Sequence, residues 1–428
     1  MKKTMKLFAM MMCMALFALT LTACDGDDNA DTTDGGNDNA NVSGEVVTLE
    51  FFNMKTEIVH ILEELIEEYE SLNPNIRIDL VTPPDGFTVL NTRMAASDVP
   101  DIFTNWPNAM FFMQVDAGHV LDISGTGIMD NIHTEARDLW RHNGGEYVAP
   151  ISYNVSGVWY NVDIFESAGI TELPQTWEEL IQVAEILEAA GYTPFVTPGV
   201  DPSIGVRQLQ VFMASSMPNT YDAFQESVTN GSVSLDGPYM AELRVMAERM
   251  IQMAEFSQSD ILGMDQDNAT ADFANGNGAM IIGGSWLLAS ITAANPNINV
   301  SMMPIPGTTF ADTNTCAYPG DFSLAIAAET PFQQEAIDFV RWMTSPEIAN
   351  RYAELEGNPS VIYGVDFVAP EFAQLYEDFV TTGKFILNPD VFWTNAQSNS
   401  AGSAVHTLFF TSDIDLFLEL LAEAFNDN

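Results

Sequence analysis

The chain has 428 residues, too many for one ordinary hydrophobic core, so two domains are expected. Its 60 acidic residues against 14 basic ones give a formal charge of −46, and a surface of that kind repels nucleic acid and anionic lipid, which excludes both as partners. A hydrophobic content of 47% with 11% aromatics suffices for a folded globule, while the acidity reads as a solvated face and names no ligand.

Residues 1–23 read as a targeting segment: Lys2, Lys3 and Lys6 precede an apolar run, Leu7 to Leu21, too short for a comfortable membrane span. The run ends in Leu21-Thr22-Ala23-Cys24, which resembles the bacterial lipobox. That resemblance implies a lipid thioether on Cys24, which becomes the mature N-terminus and anchors the protein on the extracytoplasmic face of the cell membrane. Residues 24–45 follow as a disordered acidic tether: DGDDNADTTDGGNDNAN has no apolar residue larger than alanine and cannot offset the entropy of ordering. Its carboxylates lack the calcium-loop spacing. With Cys13 removed and Cys24 lipidated, Cys316 stands alone, a packing residue without an internal disulfide.

The folded part begins near Val46 with strand–helix–strand order. Val47, Leu49 and Phe51 alternate as a strand. Ile58, Ile61, Leu62, Leu65, Ile66 and Tyr69 sit at helical spacing, and Asn73-Pro74-Asn75 stops them. Ile76, Ile78 and Leu80 form a second strand, and residues 100–103 a third. In parallel sheets of this order ligands collect at the carboxyl ends of strands, which points to Asn53, Asn105 and Trp106. Tyr147 to Asn161, YVAPISYNVSGVWYN, crosses Pro150 in extended form and becomes an apolar strand that leaves one lobe for another. Tyr153 and Asn154 fall at that bend, where a cleft between lobes opens.

Further on, Thr176-Trp177-Glu178-Glu179 is a capping box, and Trp177, Leu180, Ala184 and Leu187 make a buried stripe. Met280 to Ile282 read as a buried strand, and Gly283-Gly284-Ser285 allow close backbone approach before Trp286, which either packs or faces a cleft. INVSMMPIP (298–306) reads as a crossover back to the first lobe, and YPGDFSLAI as a turn and strand that put Asp321 at the cleft. Residues 331–343 form an amphipathic helix, and Ser345-Pro346-Glu347 opens another. Trp393 lies among Thr394, Asn395 and Gln397, with little apolar company, and is expected to contact ligand.

VTLEFFN, LNPNIRIDL, AASDVPDIFTNW, YVAPISYNVSGVWYNVDIFESAGI, LPQTWEEL and DFANGNGAMIIGGSW occur in the order found in family 1 extracellular solute-binding proteins, and the chain resembles that family over nearly all of its mature length. These are carbohydrate receptors of ABC importers, distantly related to maltose-binding protein. The resemblance implies an α/β fold: a two-lobed, periplasmic-binding-protein-like clamshell, each lobe a mixed, mostly parallel sheet flanked by helices, joined by three hinge crossovers. The expected lobes are 46–153 plus 303–345 and 154–302 plus 346–428. It further implies that Trp286 is a sugar-stacking platform, that the ligand is a sugar or oligosaccharide, and that the partners are permease subunits. The expected ligand set is then Asn53, Asn105, Trp106, Tyr153, Asn154, Trp286, Asp321 and Trp393. Pyranose C–H faces suit Trp and Tyr, hydroxyl rims suit Asn, Asp and Gln, and no arginine cluster points to phosphate.

No cofactor or metal is expected, since His60, His119, His133, His142 and His406 show no ligand spacing. The carboxylates fall mostly on polar helix faces, so an enzyme is not expected. The expected state is a monomer. The alternatives are a receptor of the same fold for a peptide or polyamine, and a surface carbohydrate-active enzyme or adhesin.

Overall fold

Residues 46–426 are described in a computed structural model; the targeting segment, Cys24 and the acidic tether lie outside them. β1 (Val47–Phe52) pairs in parallel with β2 (Ile76–Val81), Leu49 opposite Ile78, and on its other side with β3 (Ile102–Thr104), Phe51 opposite Ile102. The intervening helix, Val59–Leu72, buries Ile61, Leu62, Leu65, Ile66 and Tyr69 against this sheet, following the 3.6-residue period. β4 (Ala149–Pro150) and β10 (Ser323–Ile326) complete the sheet in the order β2-β1-β3-β10-β4.

β5 (Tyr153–Asn161) is the axis of a second sheet. It pairs antiparallel with β7 (Met280–Gly284), β8 (Val300–Met303) and β9 (Thr315–Pro319). β6 (Phe195–Val196) joins β7 and β11 (Phe385–Leu387) joins β9, both in parallel. The sheets are therefore mixed rather than mostly parallel. The reason is directional: β5 carries the chain out of the first lobe and β9 carries it back, so the two must run opposite ways. The helix Trp177–Ala189 packs on this sheet through Trp177, Leu180, Val183 and Leu187. Its capping box forms as expected, Glu179 N donating to Thr176 Oγ1 and Thr176 N to Glu179 Oε2, both at 3.2 Å.

Three segments cross side by side, and two expected boundaries move. INVSMMPIP becomes β8 inside the second sheet, so the return to the first lobe waits until Pro319–Ser323. A short alternating strand has the same period in either sheet, so its pattern did not name its partner. The helix Pro346–Glu356, placed in the second lobe from sequence, belongs to the first: Ile348, Ala349 and Tyr352 share a core with Leu49, Phe51 and Phe339. The chain leaves the first lobe only after Val365, where Phe367 touches both cores. At the hinge Tyr153 lies opposite Pro319 and Ser323 opposite Pro150, while Ser152 bridges to Ser360. The expected number of crossings stands; the second and third are displaced.

One helix contact positions the cleft. The helix Pro202–Ser216 crosses the helix Asn395–Thr411 at Gly205 and Gly402, where a Cβ on Gly402 would run into the Pro202 carbonyl. Glycine thereby sets the height of the first of these helices, which presents Arg207 and Gln210 to the cleft.

Candidate functional site

A cavity of about 200 Å³ lies where the crossings meet, lined by both lobes. The first lobe contributes Lys55, Glu57, Trp106 and Asn108, the hinge Asn154, Tyr318 and Asp321. The second contributes Arg207, Gln210, Trp286, Asn388, Asp390 and Val391.

Asp321 is the hub of its floor. Its Oδ2 pairs with Lys55 Nζ and accepts from Asn358 Nδ2 at 3.3 Å, and its Oδ1 accepts from Asn154 Nδ2 at 3.0 Å. Its backbone N–H donates to Ser152 O at 3.1 Å, and its carbonyl accepts from Trp106 Nε1 at 3.1 Å. One residue thus ties the two crossing strands to the loops of the first lobe. Lys55 Nζ also pairs with Glu356 Oε1 at 2.9 Å and Glu57 Oε1 at 3.6 Å. Burial alone would lower the pKa of Lys55, but Asp321, Glu356 and Glu57 outweigh it and hold the amine charged, with its pKa raised. Burial raises the pKa of Glu356, opposed by Lys55 and reinforced by Asp321.

The aromatic wall is Trp286, half-buried, directly after β7. Its ring lies so close over Gly284 that a Cβ there would collide with it. The turn beneath is held to β5 by Val155 N donating to Ser285 Oγ at 3.2 Å and Trp159 Nε1 donating to Gly284 O at 2.9 Å. Among the described residues, three buried polar atoms on cavity-lining side chains have no hydrogen-bond partner: Asn154 Oδ1, Gln210 Nε2 and Asn388 Oδ1. Buried polar groups are normally satisfied, so these three are the unsatisfied polar positions of the cavity lining.

Of the residues expected at the ligand, Trp106, Asn154, Trp286 and Asp321 line the cavity. Four lie elsewhere. Asn53 is fully buried and shapes the turn that aims Lys55, its Oδ1 accepting from Lys55 N at 3.0 Å and its Nδ2 donating to Lys55 O at 2.6 Å. Asn105 is buried and donates its Nδ2 to Gln114 Oε1 at 2.8 Å. Tyr153 packs against the first-lobe core, and burial pushes its phenol up to about 12. Trp393 is 2% exposed in the second-lobe core, 4.6 Å from the Phe425 ring, its Nε1 donating to Gln225 Oε1 at 3.2 Å. Its apolar company comes from helices distant in sequence, which a polar local stretch hides. Lys55, Glu57, Arg207 and Asp390 line the cavity too and are not among the residues expected from the sequence. The one local signal was a lysine at the carboxyl end of β1 in a chain with so few bases.

Among the described residues no group of His, Cys, Asp or Glu is arranged to hold a metal ion, and no helix is long and apolar enough to cross a membrane. Cys316 is buried without a disulfide, and burial pushes its thiol pKa up, away from nucleophilic use.

Two mixed α/β lobes, three adjacent crossings and a polar cleft with an aromatic wall define a solute-binding clamshell. The family model for bacterial extracellular solute-binding proteins matches residues 55–350, and the chain belongs to that family. It is 28% identical over 322 residues to the multiple sugar-binding protein of Streptococcus mutans serotype c, covering 74% of this chain and 76% of that one. It superposes on RafE in complex with raffinose with a TM-score of 0.80 at 27% identity, over 89% of this chain and 99% of RafE. Against the apo form of RafE from Streptococcus pneumoniae the TM-score is 0.72 at 26% identity, over 90% and 98% of the two chains.

Proposed function

We propose that the chain captures a carbohydrate in the cleft and delivers it to the permease of an ABC importer. The observation that carries this reading is Trp286 held close against Gly284 beside Asn154, Gln210 and Asn388, whose buried amide atoms lack partners. An apolar ring face on the indole and hydroxyls on the amides would satisfy both kinds of surface at once. The cavity, at about 200 Å³, falls below the roughly 300–1,000 Å³ typical of sites that enclose a drug-sized ligand, which suits one end of a sugar chain rather than all of it. The S. mutans multiple sugar-binding protein and raffinose-bound RafE, as relatives, point the same way. The superposition on the raffinose-bound form is closer than that on the apo form.

A thermal-melt screen tests this. Raffinose, stachyose, melibiose and xylo-, chito- and manno-oligosaccharides are compared with peptides and polyamines. A cognate sugar at a hundred times its Kd is expected to raise Tm by about 3 °C. A shift with a peptide or polyamine and none with any sugar contradicts the proposal, and release of product from an oligosaccharide turns the reading towards an enzyme.

We also propose that Cys24 carries a lipid anchor, supported by the run Leu21-Thr22-Ala23-Cys24 and the acidic tether that follows. Cys24→Ser is expected to leave the protein unprocessed or to move it out of the membrane fraction in lipid-labelled cells. Undiminished lipid incorporation in that variant contradicts the anchor.

A further inference from the structure

Arg207 and Asp390 stand out at the second-lobe end of the cleft. In a chain with 60 acids and 14 bases, an arginine left without a carboxylate is uncommon. Arg93 pairs with Glu50, Arg137 with Glu146, Arg244 with Asp415 and Arg351 with Glu64. Arg249, which has no carboxylate partner, is satisfied by Ser215, Ser216 and Thr308. Arg207 makes neither an ion pair nor a side-chain hydrogen bond among the described residues, yet it lines the cavity together with Asp390 and Trp286. The Asp390 carboxylate likewise makes no ion pair among them, and the polar groups beside it are the Gln210 amide and the Val391 backbone N–H. It sits on the short turn Pro389–Phe392, which is pinned from both sides. Val391 enters the first-lobe cluster of Phe52 and Phe103, and Trp393 is locked in the second-lobe core.

We propose that Arg207 and Asp390 contact the ligand as a specificity-determining pair, selecting an uncharged sugar end with adjacent hydroxyls, one donating to the Asp390 carboxylate and its neighbour accepting from the Arg207 guanidinium. This rests on the carbohydrate reading of the cleft. The pair rejects charged ends of either sign. A uronate drawn to Arg207 meets Asp390 and Glu57, and an amine drawn to Asp390 meets Arg207.

The pair also makes capture depend on pH. Burial pushes Asp390 up to about 6, against the nearby Gln210 amide and the Arg207 charge, which favour the ionised form. The groups around it are Arg207 on its helix, Glu57 across the cleft, Tyr221, and Cys316 and Tyr318 on β9. Burial raises the pKa of Tyr221, Cys316 and Tyr318, so all three keep their protons through this range. A hydroxyl donated to Asp390 needs the carboxylate, so ligand binding releases a proton and affinity falls as pH drops below about 6.

Calorimetric titration with raffinose, or with the strongest neutral sugar of the melting screen if raffinose is silent, tests the pair at pH 5, 6 and 7. The wild-type protein is expected to bind roughly tenfold more weakly at pH 5 than at pH 7. Asp390→Asn is expected to bind at least tenfold more weakly than wild type at pH 7, with no slope between pH 5 and 7, and Arg207→Gln to bind more weakly at every pH. Asp390→Asn with wild-type affinity, or with its pH slope intact, overturns the proposal. So does a wild-type preference for digalacturonate over the neutral sugar. Failure of every sugar to bind overturns the carbohydrate reading itself and this pair with it, whereas sugar binding that is flat in pH and indifferent to both variants overturns the pair alone.

Discussion

Lys55→Ala is expected to lower the unfolding free energy by about 3–5 kcal/mol, the cost of breaking a buried ion pair from one side. The lysine is 4% exposed, and its partners Asp321 and Glu356 are 7% and 2% exposed. Removing the amine leaves two buried carboxylates near each other with no cation between them. They relieve the repulsion by taking up a proton, and Glu356, whose pKa burial already raises, is the one to take it. The sign follows from that. A carboxylate whose folded pKa lies above its unfolded value loses stability as pH climbs through the interval between the two. The variant is therefore expected to be least impaired near pH 5 and most impaired near pH 8. Urea unfolding at both values measures it. Lys55→Ala combined with Glu356→Gln is expected to recover part of the loss, since one buried charge is gone. A loss below about 1 kcal/mol at pH 8 contradicts the description of this cluster as buried and coupled.

Trp286→Ala is expected to weaken sugar binding by roughly 30- to 150-fold, about 2–3 kcal/mol, the sum of the ring area lost and the stacking lost with it. The fold should tolerate it better, because the indole is half-buried and one of its faces lines the cavity rather than the core. Trp393→Ala makes the contrast. That indole is enclosed by the second-lobe core, so its truncation is expected to cost about 3–5 kcal/mol of stability. Any loss of affinity would then arise indirectly, because Asp390 sits on the turn Trp393 anchors. Calorimetry and denaturant unfolding on the two variants separate the roles. Equal affinity in Trp286→Ala and wild type removes Trp286 from the site.

The difference between those tryptophans shows what local sequence conveys. Trp286 follows two glycines at the end of a buried strand, and the close approach those glycines permit is what the structure uses. Trp393 sits among polar residues, and its core neighbour Phe425 comes from the C-terminal helix Ile414–Asn426. The polar stretch lies beside the cavity, but the residue there that lines it is Asp390, three positions upstream. Periodicity located the helix of Lys55's lobe, the capping box at Thr176 and the run of β5, because these depend on neighbours a few residues apart. It could not assign β8 or the helix Pro346–Glu356 to a lobe, since either sheet accepts the same pattern. The Lys55 cluster was hidden for the same reason: its partners lie 266 and 301 residues away. Arg207 gave no local sign at all, being one polar position on a helix otherwise largely buried.

Whether a sugar occupies the cleft is asked most directly by calorimetric titration of the purified protein with the sugar chosen by the melting screen. The expected result is a saturable one-to-one isotherm that Trp286→Ala weakens at least 30-fold, with no heat from peptides or polyamines. Saturation by a peptide or polyamine, or a sugar isotherm indifferent to Trp286→Ala, would contradict it.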